Sequence, residues 1–155
     1  MEAVVIKAMN ESYSEDRDIR NLITYIAGKS KESKKVRYYN GRGLSREPKK
    51  AATNIIKIQQ YYGKADKRRI FHFVIAFQNM NDAGLAKIIA ENITDMFFRK
   101  YQIYYGIHED TENLHIHFAV NTVSYVDGKK FHQSKKEFGK MKKGITEIVK
   151  KIKEI

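Results

Sequence analysis

The stretch His108-Glu109-Asp110-Thr111-Glu112-Asn113-Leu114-His115-Ile116-His117-Phe118-Ala119-Val120-Asn121 decides how this chain is read. Side chains alternate between the two faces of a β-strand, so His115 and His117 share one face and Ile116, Phe118 and Val120 the other. The apolar face belongs to a core; the histidine face does not. His108 closes a preceding strand, 102–107, and the short acidic loop 109–113 folds that strand back antiparallel beside the pair. Three convergent neutral imidazoles are the nitrogen set that a divalent cation takes, with positions left open for water or substrate. Asp110 and Glu112, in the loop, are acceptors for the ring N–H groups of such ligands.

Working outward, Arg69–Gln78 reads as a strand with Phe71, Phe73, Ile75 and Phe77 on one side and His72, Val74 and Ala76 on the other. His72 can therefore share the histidine face, as a fourth ligand, a phosphate contact or an inert neighbour. Downstream, the strand from Leu114 runs to about Val126, and Asp127-Gly128 signals a two-residue hairpin with a brief return over 129–132. Ser134 and Glu137 fit a capping box for a lysine-rich helix over 134–155 that carries Phe138, Met141, Ile145, Ile148 and Ile152.

Upstream, residues 3–9 read as a buried strand. Asp16 or Asp18 caps a helix with Ile19, Leu22, Ile23 and Ile26 at helical spacing, ended by Gly28. Helices over 51–62 and from Asn81 or Asp82 complete the set. Between Lys29 and Lys50 the composition changes: Lys29, Lys31, Lys34, Lys35, Arg37, Arg42, Arg46, Lys49 and Lys50 face only Glu32 and Glu47. With Gly41, Gly43 and Pro48 in the same stretch, 29–50 is expected to be a mobile basic loop. The expected class is α+β, one domain over 1–155, a central antiparallel sheet with helices packed mainly on one face.

The formal net charge is +12, from 30 Lys and Arg against 18 Asp and Glu. A domain this basic implies a polyanionic partner, and no run nears the ~18 apolar residues of a membrane span, so nucleic acid is favoured over a membrane. The absence of cysteine excludes disulfides and is compatible with a cytoplasmic setting.

The run His-x-Asp, short gap, His-x-His, apolar residues and Asn121 resembles the histidine motif of the HUH-type relaxases, the plasmid mobilisation nucleases. The segment Asp127–His132 is similar to that family's hairpin. Leu22-Ile23-Thr24-Tyr25-Ile26-Ala27-Gly28-Lys29-Ser30 looks like its nucleophile motif, a tyrosine before Lys-Ser or Lys-Thr. Tyrosine before the histidines is the relaxase order. Rolling-circle initiators and single-tyrosine transposases carry theirs afterwards, and here only Tyr125 follows. Relatives often have Ser before the last Phe of the middle strand, where this chain has Ala76.

The resemblance implies a HUH, palm-like sandwich that nicks and rejoins single-stranded DNA by transesterification. Tyr25 is then the nucleophile, His108, His115 and His117 hold the metal, and Asp110 orients a ligand. The implied cofactor is Mn2+ or Mg2+, with Zn2+, Co2+ or Ni2+ also compatible with nitrogen ligands. The implied partners are single-stranded DNA at a transfer origin, with or without a flanking hairpin, and accessory mobilisation and coupling proteins. Lys29, Lys31, Lys34, Lys35, Arg37, Arg42, Arg46 and His72 are the candidate DNA contacts.

Helical spacing places Tyr25 at the edge of its apolar stripe, and Tyr13, Tyr38, Tyr39, Tyr61, Tyr62, Tyr104 and Tyr105 stay open as alternatives. The rival readings are a related HUH replication initiator or transposase, a non-catalytic single-strand binder and a zinc hydrolase of a small substrate.

Overall fold

The computed structural model describes residues 4–33, 35–110 and 113–154, without the Asp110 side chain. Lys34, Glu112 and the carboxyl of Asp110, all singled out above, lie outside the description. The chain runs β1 (Val4–Ala8), α1 (Asp16–Ile26), β2 (Lys35–Arg42), α2 (Pro48–Tyr61), β3 (Ile70–Phe77), α3 (Ala83–Phe97), β4 (Ile103–Asp110), β5 (Asn113–Asn121) and α4 (Lys135–Lys153). The strands form one sheet in the order β1-β3-β5-β4-β2, and every neighbouring pair is antiparallel. The α+β class with a central antiparallel sheet is therefore as the sequence implies.

The helices divide two and two between the faces, rather than lying mainly on one. Phe71, Phe73, Ile75 and Phe77 of β3, the Leu114–Val120 row of β5, and Ile103, Tyr105 and Ile107 of β4 pack against α3 and α4. Phe73 and Phe118 lie nearly parallel there, centroids 4.6 Å apart, as a cross-strand pair. On the opposite face, Ile19, Ile23 and Ile26 of α1 and Ile55 and Ile56 of α2 close over Ile70, Tyr104 and Ala119. The reason is visible in β3: Ile70, His72 and Val74 are buried as well as the phenylalanine row, so this strand needs cover on both sides.

The stretch 29–50 is not a mobile loop. Val36, Tyr38 and Tyr39 recur among its charges and give an edge strand, β2, paired along β4 from Lys35↔Glu109 to Arg42↔Ile103. A charged edge strand is a common way to discourage further pairing, so the composition that suggested a loop is what an edge requires. A bulge between Val36 and Tyr38 lets Arg37 and Tyr38 both serve the α3 side. Glu47 then caps α2 through Lys49 N and Lys50 N, with Pro48 in its first turn, so α2 starts three residues before the expected Ala51.

Two smaller expectations shift and a third stands. Glu15, not Asp16 or Asp18, is the N-cap of α1, and Asp18 Oδ2 accepts from Glu15 N at 3.0 Å. Asp127-Gly128 is not a two-residue hairpin: Ser124 N donates to Lys129 O across a longer loop, only an isolated Val123↔Lys130 bridge follows, and of the two turn residues only Gly128 has positive φ. The α4 capping box of Ser134 and Glu137 is as expected.

Candidate active site

Pairing of β4 with β5 sets His108 directly opposite His115 and Gly106 opposite His117. Alternation keeps all three histidines on the α1–α2 face, and the rings of His108 and His117 are 4.5 Å apart. His108 is 1% exposed. Its Nε2–H donates to Ile26 O at 3.0 Å, since a carbonyl can only accept, which leaves Nδ1 as the lone-pair nitrogen. That Nδ1 is buried and has no hydrogen-bond partner among the described residues. A buried lone pair with nothing electropositive against it is costly, and its chemistry fits a cation ligand.

Burial also sets the charge state. It pushes His117 down to about 2 and His72 down to about 4, and holds His108 below the usual imidazole range, with repulsion among the neighbouring rings adding to each. At neutral pH these rings are uncharged, the form in which imidazole binds metals. Among the described residues no three histidine or carboxylate side chains stand in a ready-made ligating arrangement. His108 is turned to Ile26 and His117 to His72 in their present rotamers.

Tyr25 lies in the last turn of α1, half-buried, with its ring centroid 5.2 Å from that of His108 and 5.4 Å from that of His117. Two glycines allow this. A Cβ on Gly106 would come within 2.1 Å of Ile26 O, so only glycine admits the end of α1 this close to the sheet. Gly28, at φ +77°, takes the left-handed conformation that turns the chain toward β2, where a Cβ would strike Val36.

The other tyrosines are differently employed. Tyr104 is fully buried and donates to Arg46 O, while Tyr105 faces α3 and donates to Glu91; burial raises both phenols well above the usual range. Tyr38 packs on the α3 side and Tyr39 lies under Arg46. Tyr61 is exposed at the end of α2, and Tyr62 packs against Gly128. Tyr13 reaches His72, with Oη 2.7 Å from Nδ1.

His72 does lie on the histidine face, but it is not placed to touch DNA. It is 6% exposed, and its Nε2 sits 3.0 Å from His117 Nδ1, so both ring nitrogens are committed inside the protein. Two of the basic candidates are likewise turned away. Arg37 pairs with Glu109 at 3.0 Å, and Arg42 pairs with Asp95 and Glu91 of α3, on the face opposite the histidines. Lys35 is exposed at 3.7 Å from Glu109. Arg46 lies over the Tyr39 ring at 4.4 Å and Lys29 over the same ring at 5.6 Å. Lys31 is exposed, and neither it nor Lys29 has an ion pair among the described residues.

A buried polar network beneath the site was not foreseen. Arg69, 3% exposed, donates to Asp16 Oδ1 at 2.7 Å and to Gln59 Oε1 at 2.6 Å. Gln59 Nε2 donates to Asn121 Oδ1, and Asn121 Nδ2 to Gln102 Oε1, both at 2.8 Å. The signal was Gln59 in line with Ile55 and Ile56, a polar residue on an apolar helical stripe.

No helix among the described residues is long and apolar enough to cross a membrane. No curated protein sequence matches the chain. A solved structure described as the molecular basis of vancomycin resistance transfer in Staphylococcus aureus has the same fold, with a TM-score of 0.74 at 12% identity over 98% of this chain and 93% of that one. The relaxase family model described as MobA/VirD2-like, nuclease domain, matches residues 25–153, from the candidate tyrosine through α4. The chain thus belongs to the MobA/VirD2-like relaxase nuclease-domain family.

Proposed function

We propose that this chain nicks and rejoins one strand of DNA at a transfer origin, with Tyr25 as nucleophile. The observation that carries the reading is the seat of the Tyr25 ring against both His108 and His117. The phenol oxygen attacks the scissile phosphorus in line, the P–O3′ bond breaks, and the 3′ oxygen leaves as a hydroxyl. The 5′ phosphate stays on Tyr25. Because one phosphodiester replaces another, the 3′ hydroxyl can reverse the step and reseal the strand.

His108, His115 and His117 would hold a divalent cation, Mn2+ or Mg2+ in the first instance, which supplies Lewis-acid stabilisation of charge on the phosphate. The fit rests on the orphaned Nδ1 of His108 and on the neutral state of the rings. Asp110 as the acceptor for a ligand ring N–H rests on the motif. The half-buried setting of Tyr25 seats its ring against His108 and His117 while leaving an approach for substrate. Lys29, Lys31, Lys35 and Arg46 hold the phosphate backbone, and the setting is cytoplasmic transfer of a plasmid or integrative element with accessory and coupling proteins.

The test uses end-labelled single-stranded oligonucleotides from the genetic neighbourhood, with Mn2+ or with chelator, on denaturing gels. A metal-dependent nick with a protein–DNA adduct, lost in Tyr25→Phe, is expected. An adduct that survives Tyr25→Phe would move the nucleophile, and binding without cleavage on the true origin would reduce the chain to a binder.

A further inference from the structure

The segment between β1 and α1 delivers Tyr13 to the back of the histidine cluster. Its ring meets His72, and His72 meets His117, in one line of hydrogen bonds of 2.7 and 3.0 Å. Tyr13 holds φ +52°, the left-handed region that a non-glycine residue enters only when its surroundings impose it. The imposition is visible. Arg69 N donates to Ser12 O at 2.9 Å and Arg69 Nη1 to Ser14 O at 3.3 Å, on either side of Tyr13, and Met9 N donates to His72 O at 2.8 Å. The strain is thus maintained by a residue that is itself 3% exposed, and it aims the phenol at a buried imidazole.

A chain of three such groups has two self-consistent proton arrangements. In one, Tyr13 donates to His72 Nδ1 and His72 Nε2–H donates to His117 Nδ1, which puts the remaining proton of neutral His117 on Nε2. In the other, every bond is reversed: His117 Nδ1–H donates to His72 Nε2, and His72 Nδ1–H donates to the Tyr13 oxygen. Only the second leaves a lone pair on His117 Nε2, the nitrogen not engaged with His72. A ligating imidazole needs that lone pair, and its other nitrogen ordinarily donates to a fixed acceptor.

We propose that Tyr13 and His72 are positioning residues that fix His117 as the Nδ1–H tautomer and so present its Nε2 to the cation. This rests on the reading of His108, His115 and His117 as ligands. It gives a purpose to the hydrogen bonds of two side chains, Tyr13 packed beside the α1–α2 core and His72 buried on β3. Tyr13 also lies before residue 25, outside the stretch that the family model matches.

Two measurements test it. Long-range proton–nitrogen NMR on the cation-free protein reads the His117 tautomer directly, and calorimetric Mn2+ titration reads the consequence, with circular dichroism to check each fold. In the parent protein His117 is expected as Nδ1–H. His72→Phe removes the acceptor, so the tautomer shifts to Nε2–H and Mn2+ affinity falls about 10–100-fold, the usual effect of losing such a partner. His72→Gln places a carbonyl oxygen near the former Nε2 and restores both readouts to within a few-fold. Tyr13→Phe retains the fold and gives a smaller loss in the same direction. An Nε2–H tautomer in the parent protein, or His72→Phe binding Mn2+ as tightly as the parent, would overturn the relay. A parent protein that fails to bind Mn2+ at all would instead overturn the ligand assignment, while the tautomer still decides the relay.

Discussion

The carbonyl oxygen of Ile26 rests on Gly106 so closely that a Cβ there would stand 2.1 Å from it, and the same oxygen accepts from His108 Nε2. One backbone atom thereby joins the end of α1 to the strand that carries a candidate ligand. Gly106→Ala should push the last turn of α1 off the sheet and take Tyr25 with it. The expected stability loss is about 1–3 kcal/mol, as for other overpacked sites, read by urea denaturation. The loss in nicking should be larger, roughly 100-fold, because a displacement near 1 Å at a reacting group costs that much. An alanine variant with parent nicking would show that α1 does not need this approach.

Asn121 joins β5 to Gln59 of α2 and to Gln102 beside β4, fully buried. Truncation to alanine strands its partners without the means to reach water. Asn121→Ala is expected to cost about 3 kcal/mol or more, because Gln59 Nε2, Val123 N and Gln102 Oε1 each lose a bond. A thermal or urea midpoint within error of the parent would show that water replaces the amide.

Acid should weaken the cation-free fold well before carboxylates protonate. His72 and His117 sit at about 4 and about 2 when folded, against an ordinary value near 6.5 in the unfolded chain. The unfolded state therefore binds more protons as pH falls below about 6.5, and stability falls with it toward those folded values. The decline is on the order of 2 kcal/mol per such histidine by pH 5, measured in chelator by urea midpoints. His72→Gln should flatten part of the slope; an unchanged slope would assign the decline to other groups.

The basic side chains separate into two groups by their partners. Replacing Lys29 and Lys31 with alanine should reduce the salt dependence of single-stranded DNA binding by about 0.7 per lost phosphate contact, in a log–log plot. Arg42→Ala, whose ion pairs lie against α3, should leave that slope alone and cost at most about 1 kcal/mol of stability. Equal slopes for both variants would mean that DNA wraps the edge formed by β2.

Much of this was legible in the chain because the periodicities are local. The β3 and β5 alternations, the α4 cap and the shared face of His115 and His117 follow from side-chain period alone. The edge strand β2 was hidden because its charges, read as loop composition, serve an exposed sheet edge. The partition of helices was hidden because β3 places His72 on a face that reads as polar but is covered. The Tyr13–His72 contact joins residues 59 positions apart through a strained backbone, and no sequence period reports that. The family motif, not spacing, singled out Tyr25, and the contact of its ring with His108 and His117 is a tertiary relation that no local period reports.

The position of β5 in the sheet has one more consequence. It is the central strand, bonded along both sides to β3 and β4, whereas Tyr25 rides on the terminal turn of a helix. Amides around His115–His117 should exchange hydrogen only through global opening, and those of the last turn of α1 through local fraying. On the proposed reading the centre would be a vice with one fixed jaw: the histidine floor would keep its spacing while the turn that carries Tyr25 gave way to admit a strand of DNA.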